Sequence, residues 1–127
     1  MDCRHCQTSL ADSRTRLALT DATQRIVWND AGEVPQIAIR EATEFAYFCC
    51  SGHARAEVRS MLALIGAEPK WADARPVEAC AACGADIDTS HWHRVLGITD
   101  ERGPLHSPDT KTLVQCPARF CSSCNPA

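Results

Sequence analysis

Short cysteine motifs occur at four places in the chain, and they constrain its fold more than any other feature. "CRHC" occupies residues 3–6 and "CAAC" residues 80–83, while "FCCSGH" (48–53) and "FCSSC" (120–124) come later in each half. A C-x2-C turn aims two side chains at one point, and two such turns supply the four ligands of a tetrahedral Zn²⁺ site. The sequence therefore predicts one structural zinc ion in each half, two per chain.

In the second half both predicted ligand pairs have the C-x2-C spacing. The predicted ligands are Cys80, Cys83, Cys121 and Cys124. The 37 residues between the two pairs have room for a β-hairpin. Four thiolates can hold iron as well as zinc, and zinc is the metal we expect.

In the first half two neighbouring cysteines compete for one ligand position. The predicted ligands are Cys3, Cys6, Cys50 and His53. When "CSGH" is aligned with "CSSC", Cys50 falls opposite Cys121 and keeps the x2 spacing, whereas Cys49 would need an x3 spacing to His53. We favour Cys50, which leaves Cys49 as a small apolar residue facing the core.

The cysteine content also indicates the compartment. Nine cysteines are an odd number, and their x2 spacings are typical of metal knuckles more than of a disulfide framework. The N-terminal residues lack the apolar segment of a signal peptide, and no run of about 20 apolar residues could span a bilayer. These features predict a cytoplasmic metalloprotein without a membrane partner.

An internal duplication indicates how the chain is organised. "RLALTD" (16–21) and "VLGITD" (95–100) follow the two opening knuckles at similar distances, so each half reads as knuckle, β-hairpin, knuckle. We predict a small, zinc-stabilised α+β fold with two tandem units, residues 1–68 and 78–127.

Only the first unit is followed by a helical pattern, over residues 54–66. Gly66 fits its C-terminal end. The predicted apolar face consists of Ala54, Val58, Met61, Leu62 and Ile65. We expect this face to pack on its own hairpin and partly on the second unit.

Knuckle, hairpin and knuckle together resemble the zinc-ribbon class. The first half, whose last ligands lead into a helix, is similar to a treble-clef zinc finger, so that the chain looks like a tandem pair of such units. Zinc ribbons and treble clefs serve transcription, translation, ubiquitin signalling and protein scaffolding. The resemblance therefore implies a fold and leaves the function open.

Catalysis is not expected. The HExxH motif of metalloproteases is absent, "HWH" lacks the glutamate of a zinc deaminase, and four side chains would fill each metal site. With a net charge of −3 and a pI of about 5.9, we favour a protein-interaction adaptor. The alternative is a nucleic-acid-binding regulator, whose basic surface would consist of Arg14, Arg16, Arg25, Arg40, Arg55 and Arg59.

Three further residues could bind metal or ligand. Cys116 could be a fifth thiol, but we expect it to pack within a strand. His91 and His93 alternate along a predicted strand and would share one face. We expect both histidines to be hydrogen-bonded or at the surface.

Overall fold

The computed structural model describes residues 1–11, 13–31, 36–105 and 107–124. It has the predicted α+β fold, mostly strands with one α-helix. In chain order the elements are β1 (Thr15–Val27), β2 (Gln36–Phe48), α1 (Ser51–Ala63), β3 (Val77–Ala79), β4 (Asp86–Asp88), β5 (His93–Arg102), β6 (Thr110–Phe120) and a 3-10 turn (Ser122–Cys124).

The two predicted hairpins lie side by side in one four-stranded antiparallel sheet. Its strand order is β2-β1-β5-β6, and β3 and β4 form a separate two-stranded sheet. Leu19 lies opposite Ile98 where β1 meets β5, and these residues are equivalent in the duplicated sequences. Beside them, the hydroxyls of Thr20 and Thr99, also equivalent, lie 2.8 Å apart. Antiparallel pairing of equivalent residues relates the hairpins by an approximate two-fold axis.

One face of this sheet packs against α1. The buried helical residues are Ala54, Val58 and Leu62. Their core partners come from both hairpins and include Leu19, Phe48, Leu96, Ile98 and Ala118. Both halves therefore share one hydrophobic core.

The helix differs from the prediction at its two ends. It begins three residues early, at Ser51, and ends at Ala63, so that Ile65 lies beyond the helix and is 48% exposed. Gly66, with φ of +70°, adopts the left-handed conformation expected of a residue that ends a helix.

The opposite face of the sheet carries buried charges. Arg16 Nε lies 2.9 Å from Glu101 Oε2, and neither side chain is more than 2% exposed. Nζ of Lys111 in β6 lies 2.6 Å from Oε1 of Glu44 in β2, although β6 and β2 are the two outer strands of the sheet. The sheet is therefore curled on this face.

The pKa values of the two acids in this cluster, Glu44 and Glu101, are shifted in opposite directions. Burial, together with the neighbouring Glu44, raises the pKa of Glu101. Burial opposes ionisation of Glu44 too, but its hydrogen bonds with Glu101 and Lys111 lower the pKa of Glu44 to about 2. Glu44 is therefore the ionised partner of Lys111 near neutral pH.

Candidate metal centres

Two groups of four potential ligands meet among the residues that the structure describes. Site 1 consists of Cys3, Cys6, Cys49 and His53, and site 2 consists of Cys80, Cys83, Cys121 and Cys124. Within each group all ligand atoms lie within 4.8 Å of one another. Each site could hold one zinc ion, which gives two per chain.

The ligand separations fit a tetrahedral zinc site. With Zn–S bonds of about 2.3 Å, tetrahedral sulfurs lie about 3.8 Å apart. The Sγ atoms of Cys6 and Cys49 are 3.6 Å apart, and so are those of Cys83 and Cys121. These distances are far longer than the roughly 2.05 Å of a disulfide bond. The clusters are therefore shaped for a metal ion and contain no disulfide.

The opening knuckles of the two sites have the same backbone geometry. The Gln7 N–H donates to the Cys3 carbonyl at 2.8 Å, and the Gly84 N–H donates to the Cys80 carbonyl at the same distance. Both donors have a positive φ, 66° at Gln7 and 77° at Gly84. A left-handed residue is unusual for a side chain such as that of glutamine. Gln7 adopts it where the equivalent knuckle uses glycine.

Each opening knuckle is held against the end of its own hairpin. The Arg4 N–H donates to the Tyr47 carbonyl and the Ala81 N–H to the Arg119 carbonyl, each at 2.9 Å. Tyr47 and Arg119 each lie two residues before the third ligand of their site. Strand pairing thus brings together ligands that are about 40 residues apart in the sequence.

The structure corrects the predicted ligand at the end of β2. Cys49, and not Cys50, belongs to site 1, where its Sγ lies 3.2 Å from Nδ1 of His53. Cys50 is the N-cap of α1 and has an extended backbone, with φ of −155° and ψ of 164°. Neighbouring side chains of an extended segment point to opposite sides, so only one of the two cysteines can face the metal.

The duplicated strand ends contain the signal for Cys49. Phe48 ends β2 and Phe120 ends β6, and the next residues, Cys49 and Cys121, are ligands of their sites. Aligning "FC" with "FC" would have selected Cys49. The prediction assumed two residues between the last two ligands of each site, whereas Cys49 and His53 of site 1 have three residues between them.

Backbone amides favour the thiolate form of one cysteine in each site. Burial alone would raise the pKa of Cys3, but the N–H groups of Cys6, Cys49 and His5 lower it to about 6. Burial would also raise the pKa of Cys80, but backbone N–H groups, with that of Cys121 first, lower it to about 6; the Cys121 nitrogen lies 3.3 Å from the Cys80 Sγ. The thiolate is the form that binds metal, so the lowered pKa values of Cys3 and Cys80 favour metal binding at both sites.

One cysteine in each site, Cys49 and Cys124, has a raised pKa, which shows why the clusters are suited to binding a cation. Burial and the nearby thiols of Cys6 and Cys3 raise the pKa of Cys49 to about 12. Hydrogen bonds with Cys83 and Cys121 raise the pKa of Cys124 to about 12 as well. A second negative charge in such a cluster is unfavourable without a metal ion, whose positive charge stabilises the thiolates.

The remaining candidate residues lie outside both ligand groups. The Gln24 amide donates to the Cys116 Sγ at 3.7 Å, and burial raises the pKa of Cys116. His93 is buried, and its Nδ1 lies 2.8 Å from the His91 carbonyl. The sequence did not indicate that His5 would stack on the ligand His53, with ring centroids 4.6 Å apart.

The arginines of the nucleic-acid alternative have varied surroundings. Arg16 is buried against Glu101 and is therefore not part of a basic surface. Arg40 and Arg25 lie over the Trp92 ring, 4.2 and 5.8 Å from its centroid.

A groove of 980 Å³ lies against the curled face of the sheet, between β2 and β6. Ile26, Ile37 and Ile39 form its wall on the β1–β2 side, and Trp71 lines it from the segment after α1. Ile37 and Ile39 are 49% and 44% exposed. The sequence did not predict this groove, because its walls come from strands at opposite edges of the sheet.

Comparisons with protein families, with curated proteins and with solved structures found no match to this chain. The two cysteine-rich groups suggest tandem zinc-binding knuckles, without identifying a specific family. Within the part of the chain that the structure describes, no helix has the length and apolar character needed to cross a membrane.

Proposed function

We propose that the protein is a non-catalytic adaptor, in which two structural zinc ions stabilise a curled sheet that binds a protein partner. Each metal site contains four ligands from the chain. A catalytic zinc ion usually keeps one position open for water or substrate. The complete ligand sets therefore support a structural role for the metal.

The groove between β2 and β6 is the observation that carries the proposal. Its isoleucine wall exposes apolar surface, which commonly marks an interaction site. The strands that bound it, β2 and β6, are the outer strands of the four-stranded sheet. The free edge of an outer strand can pair with an extended segment of a partner.

The charge balance favours a protein partner over nucleic acid. The chain has a net charge of −3, and bound zinc leaves a charge of about −1 on a three-thiolate site and about −2 on a four-thiolate site. Nucleic-acid binding relies on neutralising phosphates with basic side chains. The buried Arg16–Glu101 pair leaves one fewer arginine for that purpose.

Replacing an exposed groove residue tests the adaptor function. Ile39→Asp places a charge on the apolar wall, and we expect it to abolish capture of the partner protein from host lysate. Leu64→Asp is the matched control, because Leu64 is 87% exposed and does not line the groove. The measurement is affinity capture with both variants and the unaltered protein, with and without nuclease.

The proposal predicts a partner that resists nuclease and is retained by the Leu64→Asp variant. Titration into labelled DNA and RNA at low and physiological salt provides the opposing test. Salt-sensitive binding tighter than about 1 µM at physiological salt would establish the nucleic-acid alternative instead.

A further inference from the structure

A buried arginine lies at the base of the groove. Arg119 lines the groove, yet only 7% of its surface is exposed. Its Nη1 donates to Oε1 of Gln24 at 2.6 Å and lies 2.7 Å from Nε2 of His93. These contacts hold the guanidinium in one position.

Both of these partners are neutral. Nδ1 of His93 lies 2.8 Å from the His91 carbonyl, so Nδ1 carries the proton and donates it to that oxygen. Nε2 is then free to accept from Arg119. Burial also lowers the pKa of His93, which favours the neutral ring. The guanidinium of Arg119 is therefore hydrogen-bonded to neutral acceptors and not to an anion.

Arg119 forms no ion pair within the described part of the chain. Among the described residues, no carboxylate lies within ion-pair distance of its guanidinium. Glu78 also lines the groove, and its charge opposes the effect of burial on the pKa of Arg119, but its ion pair is with Arg75, whose Nη2 lies 3.5 Å from Oε1 of Glu78. A buried charge without a counter-ion is unfavourable, and arginine does not lose its proton in proteins. An anion that entered the groove would relieve this cost.

The other charges lining the groove have mixed signs. They are Lys70 and Lys111 on the basic side and Glu68, Asp73 and Glu78 on the acidic side. Lys111 is already paired with Glu44. Selection of an anion therefore depends on Arg119 and not on a general positive field.

We propose that the groove binds an extended peptide through its free C-terminal carboxylate, which pairs with Arg119. The apolar side chains of the peptide would contact Ile37 and Ile39. This inference rests on the adaptor function and specifies which part of the partner is bound.

The shape of the groove favours a peptide over a small free acid. Residues 111–119 of β6 line it without a break, and β6 is an outer strand of the sheet. At its C-terminal end the outer edge of β6 already accepts backbone hydrogen bonds, from Lys70 at the Pro117 carbonyl and from Ala81 at the Arg119 carbonyl. A peptide could therefore pair with residues 111–116, and six strand residues span about 20 Å, at about 3.3 Å each. A backbone of that length can pair with a strand edge, while a guanidinium can bind a carboxylate through two parallel hydrogen bonds.

Peptides with and without the terminal charge provide the test. The probes are two fluorescent hexapeptide libraries of apolar sequence, one with free C-terminal carboxylates and one amidated, and the readout is fluorescence anisotropy. We expect the free acids to bind at least about tenfold more tightly than the amides. Arg119→Gln should remove this difference, whereas Arg59→Gln, which alters an exposed helical residue outside the groove, should preserve it.

A second variant keeps the test valid if the Arg119→Gln protein misfolds. Ile39→Asp changes an exposed wall residue and should weaken binding of both libraries while zinc content and melting temperature stay unchanged. Equal binding of acids and amides to the unaltered protein would overturn the inference, and that comparison needs no variant. Binding of octanoate without binding of any peptide would also overturn it.

The outcomes separate this inference from the adaptor function. Partner capture could be lost with Ile39→Asp and yet not be competed by the free-acid peptides. This outcome would support the adaptor function and would contradict the proposed carboxylate site. Competition by the acids and not by the amides would support both.

Discussion

We expect removal of zinc to unfold the whole chain. Structural zinc sites contribute about 10–16 kcal/mol of apparent binding free energy, as much as or more than the roughly 5–15 kcal/mol by which a typical domain is stable. The two sites tie the knuckles to the ends of β2 and β6, and those strands belong to one sheet with one core. Treatment with a zinc chelator should abolish the far-ultraviolet circular dichroism of sheet and helix together.

Adding metals back provides the control for this experiment. Zn²⁺ should restore the spectrum, whereas Mg²⁺, which prefers oxygen ligands, should not. A chelated protein that still melts cooperatively would show that the hydrophobic core alone stabilises the fold.

We expect Val58→Asp to destabilise both halves at once. Val58 is completely buried in α1, within a core that includes Leu19 of β1 and Ile98 of β5. Placing a carboxylate there without a partner should cost about 3–5 kcal/mol. Urea unfolding followed by circular dichroism should show one transition, displaced to lower denaturant concentration.

Ser60→Asp is the matched control, because Ser60 lies on the exposed side of the same helix. Its effect should stay within about 0.5 kcal/mol. A second transition that Val58→Asp leaves in place would show that the β5–β6 hairpin is stable without the helix.

Local spacing was enough to predict the fold class and two zinc sites. The knuckles around Cys3 and Cys80 need only a tight turn, and the C-x2-C motif specifies one directly. The helix was also predicted from local periodicity, since Val58 and Leu62 recur at helical spacing. The helix starts at Ser51 and not at residue 54, because Cys50 is its N-cap and not a metal ligand.

Features that depend on distant pairing were not predicted. The junction of β1 with β5 places Leu19 opposite Ile98, residues that are separated by most of the chain. Such pairing is decided by the packing of both hairpins against α1, which no local pattern shows. The groove and the burial of Arg119 follow from that arrangement and from the curl of the sheet.

Measuring zinc per chain in three proteins tests the central claim most directly. The unaltered protein, Cys50→Ser and Cys49→Ser should be purified without added metal and analysed by elemental mass spectrometry against protein concentration. The two ligand groups, with Cys49 in the first, predict two equivalents of zinc in the unaltered protein, two in Cys50→Ser and one in Cys49→Ser. Fewer than two in the unaltered protein, or a loss in Cys50→Ser that Cys49→Ser does not show, would contradict the account.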